Sequence, residues 1–536
     1  MVSMLQMPNW RAITRLGLLL AAATLLPFAL ADDLIDAAKS GDTARAESLI
    51  KNGADLTAAE PDGSTALHWA VVNNDLELAG MLLDAGADAG ARTRYTMTPI
   101  HLAAENGNPA MIKRLLDAGA DANTLYAEGQ TPLMTAALSG NPEAIRVLLT
   151  NGADVNAREM FKGQTALMFA AREGNAEAAE MLIEFGADVK AQSAEGFTPL
   201  LFAVRNDHAA TAKVLLDHGA NVEDQAADGT TALNIAVVNA YYGMASLLLD
   251  YNADPNAADA RGSALHTIAW LRKPGATGTA GVGGTAHGPP LPTGEITSLE
   301  LVQKLIDHGA NLNPRIHWPE SRFGKAGGTT RNPPNIDLGR HLLTYNGATP
   351  FYVAAKNGDI ALMRLLADNG ADGTIGNDFG VTPLMVAAGM DYWEGEAPGP
   401  FTGVPENERL EAVKLAVEVG NDINARTDFG DYPMEGTTDY TLLYYPYNLD
   451  DLVNLGVGDP RWDGCTALHG AVISNQPSIV AYLVEQGAKV NVKNELGWTP
   501  LLMSRGVFLA NAKKEFPEIE KILMQALKDG DSETAE

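Results

Sequence analysis

The apolar residues of this chain come in two alternating kinds of burst. In the stretch from Gly129 to Ala157, GQTPLMTAALSGNPEAIRVLLTNGADVNA, the first burst is alanine-rich and opens on a threonine. The second, AIRVLL, spaces its large residues along one face of a helix. Small residues on the first burst suit close helix packing, and Thr131 is a helix-capping type. Ser139-Gly140 predicts the end of the first helix, because glycine takes up the left-handed C-cap conformation without steric cost. Asn141 predicts the cap of a second helix with Pro142 in its first turn, a device that Asn108-Pro109 and Gln476-Pro477 repeat. Asn151-Gly152 closes that helix, and ADVNAREMFKG turns the chain toward the next threonine.

The pattern recurs along the chain. Its starts fall at Asp32, Thr65, Thr98, Thr131, Thr165, Thr198, Thr231, Ser263, Thr349, Thr382, Thr466 and Thr499. Most steps are 33 residues, one is 34 and one is 32, while 86 residues follow Ser263 and 84 follow Thr382. Twelve units result, the first seven uninterrupted. The glycine that ends the second helix recurs at Gly86, Gly119, Gly186, Gly219, Gly309, Gly370 and Gly487, and unit seven uses Asn252 there.

This unit resembles the ankyrin repeat. The likeness is carried by TALH at Thr65–His68, TPIHLAA at Thr98–Ala104, TALHGA at Thr466–Ala471 and ADVNA at Ala153–Ala157. It covers nearly all of residues 32–530 outside the two long interruptions. The resemblance implies an all-α repeat solenoid of about twelve stacked helix-turn-helix units, with β-turn fingers along one edge and loop insertions in units eight and ten. It also implies partner proteins bound on the fingers and on the concave face of the first helices. The resulting organisation is a signal peptide over 1–31, repeats one to seven over 32–262, repeat eight with its insertions over 263–348 and repeat nine over 349–381. Repeat ten with its insertions covers 382–465, repeats eleven and twelve with a C-terminal cap cover 466–530, and 531–536 is an acidic tail. The family's histidine stands at His68, His101, His266 and His469, with methionine in its place at Met134, Met168 and Met385. Such scatter suits a local hydrogen-bonding group at each helix start, not a shared ligand set.

Insertions at 273–295, 313–346, 390–406 and 431–463 go into loops, because stacked helices cannot absorb them. Gly275–Pro290 reads as a flexible linker. The others are far more aromatic than a disordered spacer. Trp318, Phe323, Tyr392, Trp393, Phe401, Tyr444, Tyr445 and Trp462 are the candidate partner contacts, since aromatic side chains bury large areas at small entropic cost. Units eight and ten lie two steps apart, roughly 20 Å at ordinary helix spacing. Their insertions are therefore expected to meet across unit nine, either in one aromatic-lined site anchored by Trp318, Tyr392, Trp393 and Tyr445 or as loops that merely cover each other. Fingers add Tyr95, Tyr126, Phe161, Phe197, Phe379, Phe429 and Trp498, and Cys465 is expected to be a partly exposed finger residue.

A formal charge of −29 repels phosphate backbones and excludes nucleic acid as a natural partner. Hydrophobic content of 46% excludes wholesale disorder. Arg11 and Arg15, the apolar run Leu16–Phe28 and the Ala29-Leu30-Ala31 cleavage pattern read in order as a bacterial-type export signal. The run is short for a membrane span, so no anchor is expected once it is removed. The mature charge would be −31, from −29 less two arginines. The expected destination is the periplasm or the exterior, as a monomer. A single cysteine, Cys465, rules out an intramolecular disulfide. No nucleophile elbow, phosphate loop, metal-ligand spacing or cofactor fingerprint is present. The expected function is a non-catalytic scaffold that binds another protein through fingers, concave face and aromatic insertions. The alternative is an enzyme, or a small-molecule or metal binder, with its site in the insertions of units eight and ten.

Overall fold

The structure, a computed structural model, describes residues 33–259, 262–272, 291–317, 347–390, 405–428, 463–495, 497–506 and 515–533. The expected signal peptide lies outside them. The described residues hold 24 α-helices and one two-stranded ribbon, Ala258–Asp259 against Gly262–Ser263. They divide into two compact bodies, one made of the chain up to residue 170 with 177–188, the other of 171–176 with 189 onward.

Each unit is a helix pair whose ends the local sequence sets. Thr131 caps the Pro132–Ser139 helix by accepting from the Met134 amide, and Gly140 ends it at φ +77°. Asn141 caps Pro142–Thr150 by accepting from the Glu143 and Ala144 amides at 3.0 and 3.1 Å. Asn108 does the same for Pro109–Asp117. Gln476 does not: the Pro477–Glu485 helix has no side-chain cap, because the longer amide turns back to donate to the Ser474 carbonyl at 3.2 Å. Leu133, Met134, Ala136 and Ala137 from one helix meet Ala144, Ile145 and Leu148 from the other, all buried. The glycines after the second helices sit at φ from +86° to +98° in units two, three, six, nine and eleven, and Asn252 holds the same place at +64°.

In the first body, the first helices Asp33–Ser40, Ala66–Val72, Pro99–Glu105 and Pro132–Ser139 stack in chain order. The second helices Thr43–Lys51, Leu76–Asp84, Pro109–Asp117 and Pro142–Thr150 stack beside them. Asparagines rivet the layers: Asn123 Nδ2 donates to the Gly152 carbonyl and its Oδ1 accepts from the Asp154 amide, both at 2.8 Å.

The second body keeps this order through its interruptions. Ala264–Leu271 packs on Pro350–Asn357, which packs on Pro383–Ala387, which packs on Ala467–Ile473. The partner row Ser298–Asp307, Ile360–Asp368, Glu406–Glu418 and Pro477–Glu485 is equally continuous. Asn313 accepts from the Asp372 amide at 2.9 Å, and Asn424 accepts from the Lys489 amide at 2.8 Å, so the rivets cross the long excursions too. Arg272, which follows the first helix of unit eight, clamps it to unit nine by donating twice to Asp359 at 2.7 and 3.0 Å.

A candidate partner-binding surface

Trp318, Phe323, Tyr392, Trp393, Phe401, Tyr444, Tyr445 and Trp462 all lie outside the described residues, as does Phe429. The expected aromatic site across unit nine therefore lies outside them as well. What the structure describes is the neck from which each finger projects. In an ordinary finger one residue donates its amide across the neck and accepts from the glycine position opposite. Glu60 donates to Ser64 at 2.9 Å and accepts from Gly63 at 2.8 Å. Ser193 bonds Phe197 and Gly196 in the same way, and Asn494 bonds Trp498 and Gly497. Two residues then remain as the tip.

Two necks of this kind enclose the long excursions. Ile316 donates to Ala348 at 3.0 Å and accepts from Gly347 at 2.8 Å. Thr427 donates to Cys465 at 2.9 Å and accepts from Gly464 at 3.2 Å. This corrects the expectation for Cys465. It is fully buried, because it belongs to a neck and not to a tip. The Thr427 hydroxyl accepts from its amide at 2.9 Å, and the Asn494 side chain lies 3.6 Å from its sulfur.

The same distinction sorts the finger aromatics. Trp498 is a neck residue and is buried. Phe379 is at a tip, yet it is buried beneath the next finger, where Asp428 donates to its carbonyl at 2.9 Å. Tyr126 is half-buried with its ring 5.5 Å from that of His101, and Phe197 is half-buried with its ring 5.5 Å from Phe202. Among the described finger aromatics, only Tyr95, 65% exposed, and Phe161, 66% exposed, stand free of the core. An aromatic pattern does not mark two aliphatic neighbours, Leu125 and Met160, which are 48% and 76% exposed. All four belong to three successive fingers of the first body. Position relative to the following threonine was the signal that separates tip from neck.

Those fingers are tied together. Arg92 donates to the Thr124 hydroxyl at 3.0 Å, and the Met160 amide donates to the Glu128 carbonyl at 2.7 Å. The last tip is built around a buried acid: the Glu159 carboxylate accepts from the amides of Phe161, Lys162 and Gln164 at 2.6, 2.7 and 2.9 Å. Met160 and Phe161 are therefore presented by a fixed loop, which lowers the entropy lost on binding.

The four histidines are interior struts. Nδ1 of His68, His266 and His469 accepts from the amide of its own helix cap at 3.2, 3.1 and 3.1 Å. Nε2 of His68, His101, His266 and His469 donates to the carbonyl just before the next unit's threonine, at Met97, Gln130, Ala348 and Trp498. A carbonyl can only accept, so Nε2 carries the hydrogen; an amide N–H can only donate, so Nδ1 of His68, His266 and His469 is bare and those three rings are neutral. Burial holds His68 below the ordinary value and pushes His101, His266 and His469 down to about 4. Among the described residues no three His, Cys, Asp or Glu side chains gather as a metal site requires, and no helix is long and apolar enough to cross a membrane.

Sequence models of known families add their own assignment. One described as ankyrin repeats in three copies matches residues 34–126, 100–193 and 167–259, and one described as the ankyrin repeat matches 346–378 and 463–495. No curated protein matches the sequence significantly.

Proposed function

Since this chain belongs to the ankyrin-repeat proteins, whose repeats generally mediate protein–protein interaction, we propose that it is an exported, non-catalytic scaffold. It captures another protein on the finger tips of its first body. The observation that carries this reading is the run of exposed apolar side chains Tyr95, Leu125, Met160 and Phe161 on three consecutive, hydrogen-bonded fingers. Large apolar groups held out to solvent on rigid turns are the form that interface anchors take. Export is supported by Arg11, Arg15, the Leu16–Phe28 run and Ala29-Leu30-Ala31. N-terminal sequencing of the secreted-fraction protein should begin at Asp32.

The test for the surface is capture of the native partner by the mature chain in crosslinked exported extract, with the captured protein identified by mass. Replacing Tyr95, Met160 and Phe161 together by alanine should leave helical circular dichroism unchanged and remove capture. In parallel, 317–346 and 428–463 are each replaced by a two-residue tip. Capture that survives the alanine variant but fails in these replacements would move the site to the insertion aromatics Trp318, Phe323, Tyr444, Tyr445 and Trp462.

A further inference from the structure

Four of the two-residue tips share a chemistry that Asp378-Phe379 does not. They read Pro61-Asp62, Ala127-Glu128, Ala194-Glu195 and Ala227-Asp228, a small or rigid residue followed by an acid. Two fingers of the first body break it. Where those four carry that pair, one has Arg94-Tyr95 and the other ends its tip in Phe161-Lys162. Each replaces the acid with a cation and an aromatic side by side. In both the cation lies over the ring, Arg94 at 5.4 Å from the Tyr95 centroid and Lys162 at 5.9 Å from that of Phe161.

The Arg94 finger is also conformationally unusual. Thr96 stands at φ +64° in the place that Gly63, Gly129, Gly196 and Gly229 hold elsewhere. A β-branched residue in that region is strained, and the neck bonds from Thr96 and Met97 to Thr93 hold it there. Both tips are thus fixed projections of like composition, separated by one finger that bears Glu128. Arg158 stands at the base of the second of them, donating to the Gly163 carbonyl at 2.9 Å.

Resting on the reading that these fingers bind protein, we propose that Arg94-Tyr95 and Phe161-Lys162 form a pair of clamps for an acidic, apolar-bearing segment of the partner. Charge complementarity decides the class. A basic segment would meet Arg94, Arg158 and Lys162 and would find its attraction on the acidic remainder of a chain of net charge −29, away from the exposed rings. An acidic segment is repelled by that remainder and finds Arg94, Arg158 and Lys162 beside the apolar anchors. Cation and ring together suit a chain that alternates carboxylates with apolar side chains. The acidic bulk then acts as a filter that directs such a segment to these fingers.

The test uses the full mature chain and two labelled synthetic peptides, one alternating Glu with Leu and Phe, the other with Lys in place of every Glu. Fluorescence anisotropy at low salt should show the acidic peptide bound at least about tenfold more tightly than its twin, with the preference fading as salt screens it. The double reversal Arg94→Glu, Lys162→Glu should remove that preference, and Tyr95→Ala, Phe161→Ala should weaken the acidic peptide while helical content stays constant. Equal affinities, tighter binding of the basic peptide, or binding of neither overturns the proposal. So does a preference that persists in the double reversal. If native capture is lost in the apolar variant yet indifferent to the charge reversal, the finger surface stands and only its assigned partner chemistry falls.

Discussion

At the scale of single residues, the buried histidines make the array sensitive to acid, and the sign can be worked through. His101, His266 and His469 are held at about 4 in the fold against an ordinary 6.5, with burial as the leading cause. Above pH 6.5 all three are neutral whether folded or not, and their native bonds contribute in full. As pH falls from 6.5 toward 4 the unfolded chain takes up protons that the folded chain refuses, so stability drops across that window. The loss is complete below about 4 and amounts to roughly 3 kcal/mol per histidine. Methionine shows what replacement does: the sulfurs of Met134 and Met385 accept from the cap amides at 3.5 and 3.4 Å, but thioether offers no donor to the next unit. The variant His101→Met, His266→Met, His469→Met should therefore be less stable than the parent at neutral pH, by about 1 kcal/mol for each lost hydrogen bond. It should lose far less on acidification, so that the two urea-midpoint curves cross between pH 6.5 and 4. Parallel curves would show that these rings do not govern the acid response.

At the scale of the helix, caps explain an unevenness among units that composition hides. Asn108 and Asn141 each accept from two amides of the following helix, whereas Gln476, one methylene longer, accepts from none and leaves its side-chain oxygen buried without a partner. Gln476→Asn should restore the cap and raise stability by about 1 kcal/mol, visible as a higher thermal midpoint. An unchanged or lower midpoint would mean that the Ser474 contact compensates. Helix starts and stops of this kind were readable in the sequence, because Thr-Pro, Asn-Pro and Asn-Gly act through their own backbones. The Gln476 exception was not, since the residue has the right functional group at the wrong reach. Nor did sequence separate Tyr95 from Trp498 or Cys465: all stand near a finger threonine, and their exposure depends on which side of a cross-neck hydrogen bond they fall. Leu125 and Met160 escaped because aliphatic residues look like core until their turn is placed.

At the scale of the molecule, the second body shows that long excursions leave the stack intact. His266 reaches the Ala348 carbonyl at 3.0 Å across residues 273–347, and the first helices of units eight, nine, ten and eleven stay in contact. Arg409, fully buried, donates to the carbonyls of Val386 and Ala387 and so ties the two helices of unit ten on either side of another excursion. Trimming 317–346 and 428–463 to Ala-Glu tips should consequently keep the helical signal of the described units and a single cooperative melt. A split or vanished transition would mean that the excursions, and not the necks, hold units eight to eleven together.

The closed necks at Ile316–Gly347 and Thr427–Gly464 have a consequence for how such a chain can change over generations. A loop whose ends are pinned in an ordinary turn geometry is charged only for its extra closure entropy, which grows with the logarithm of its length. Going from a two-residue tip to the thirty residues between Ile316 and Gly347 costs roughly 2 kcal/mol, whatever those residues are. Neighbouring units register almost nothing, since both hydrogen bonds across the neck and the buried residues behind it are those of an unmodified finger. Each neck is in that sense a splice point. New sequence can enter, drift and acquire a use there without asking the helices to adapt, and a foreign segment displayed between Ile316 and Gly347 should be tolerated for the same reason.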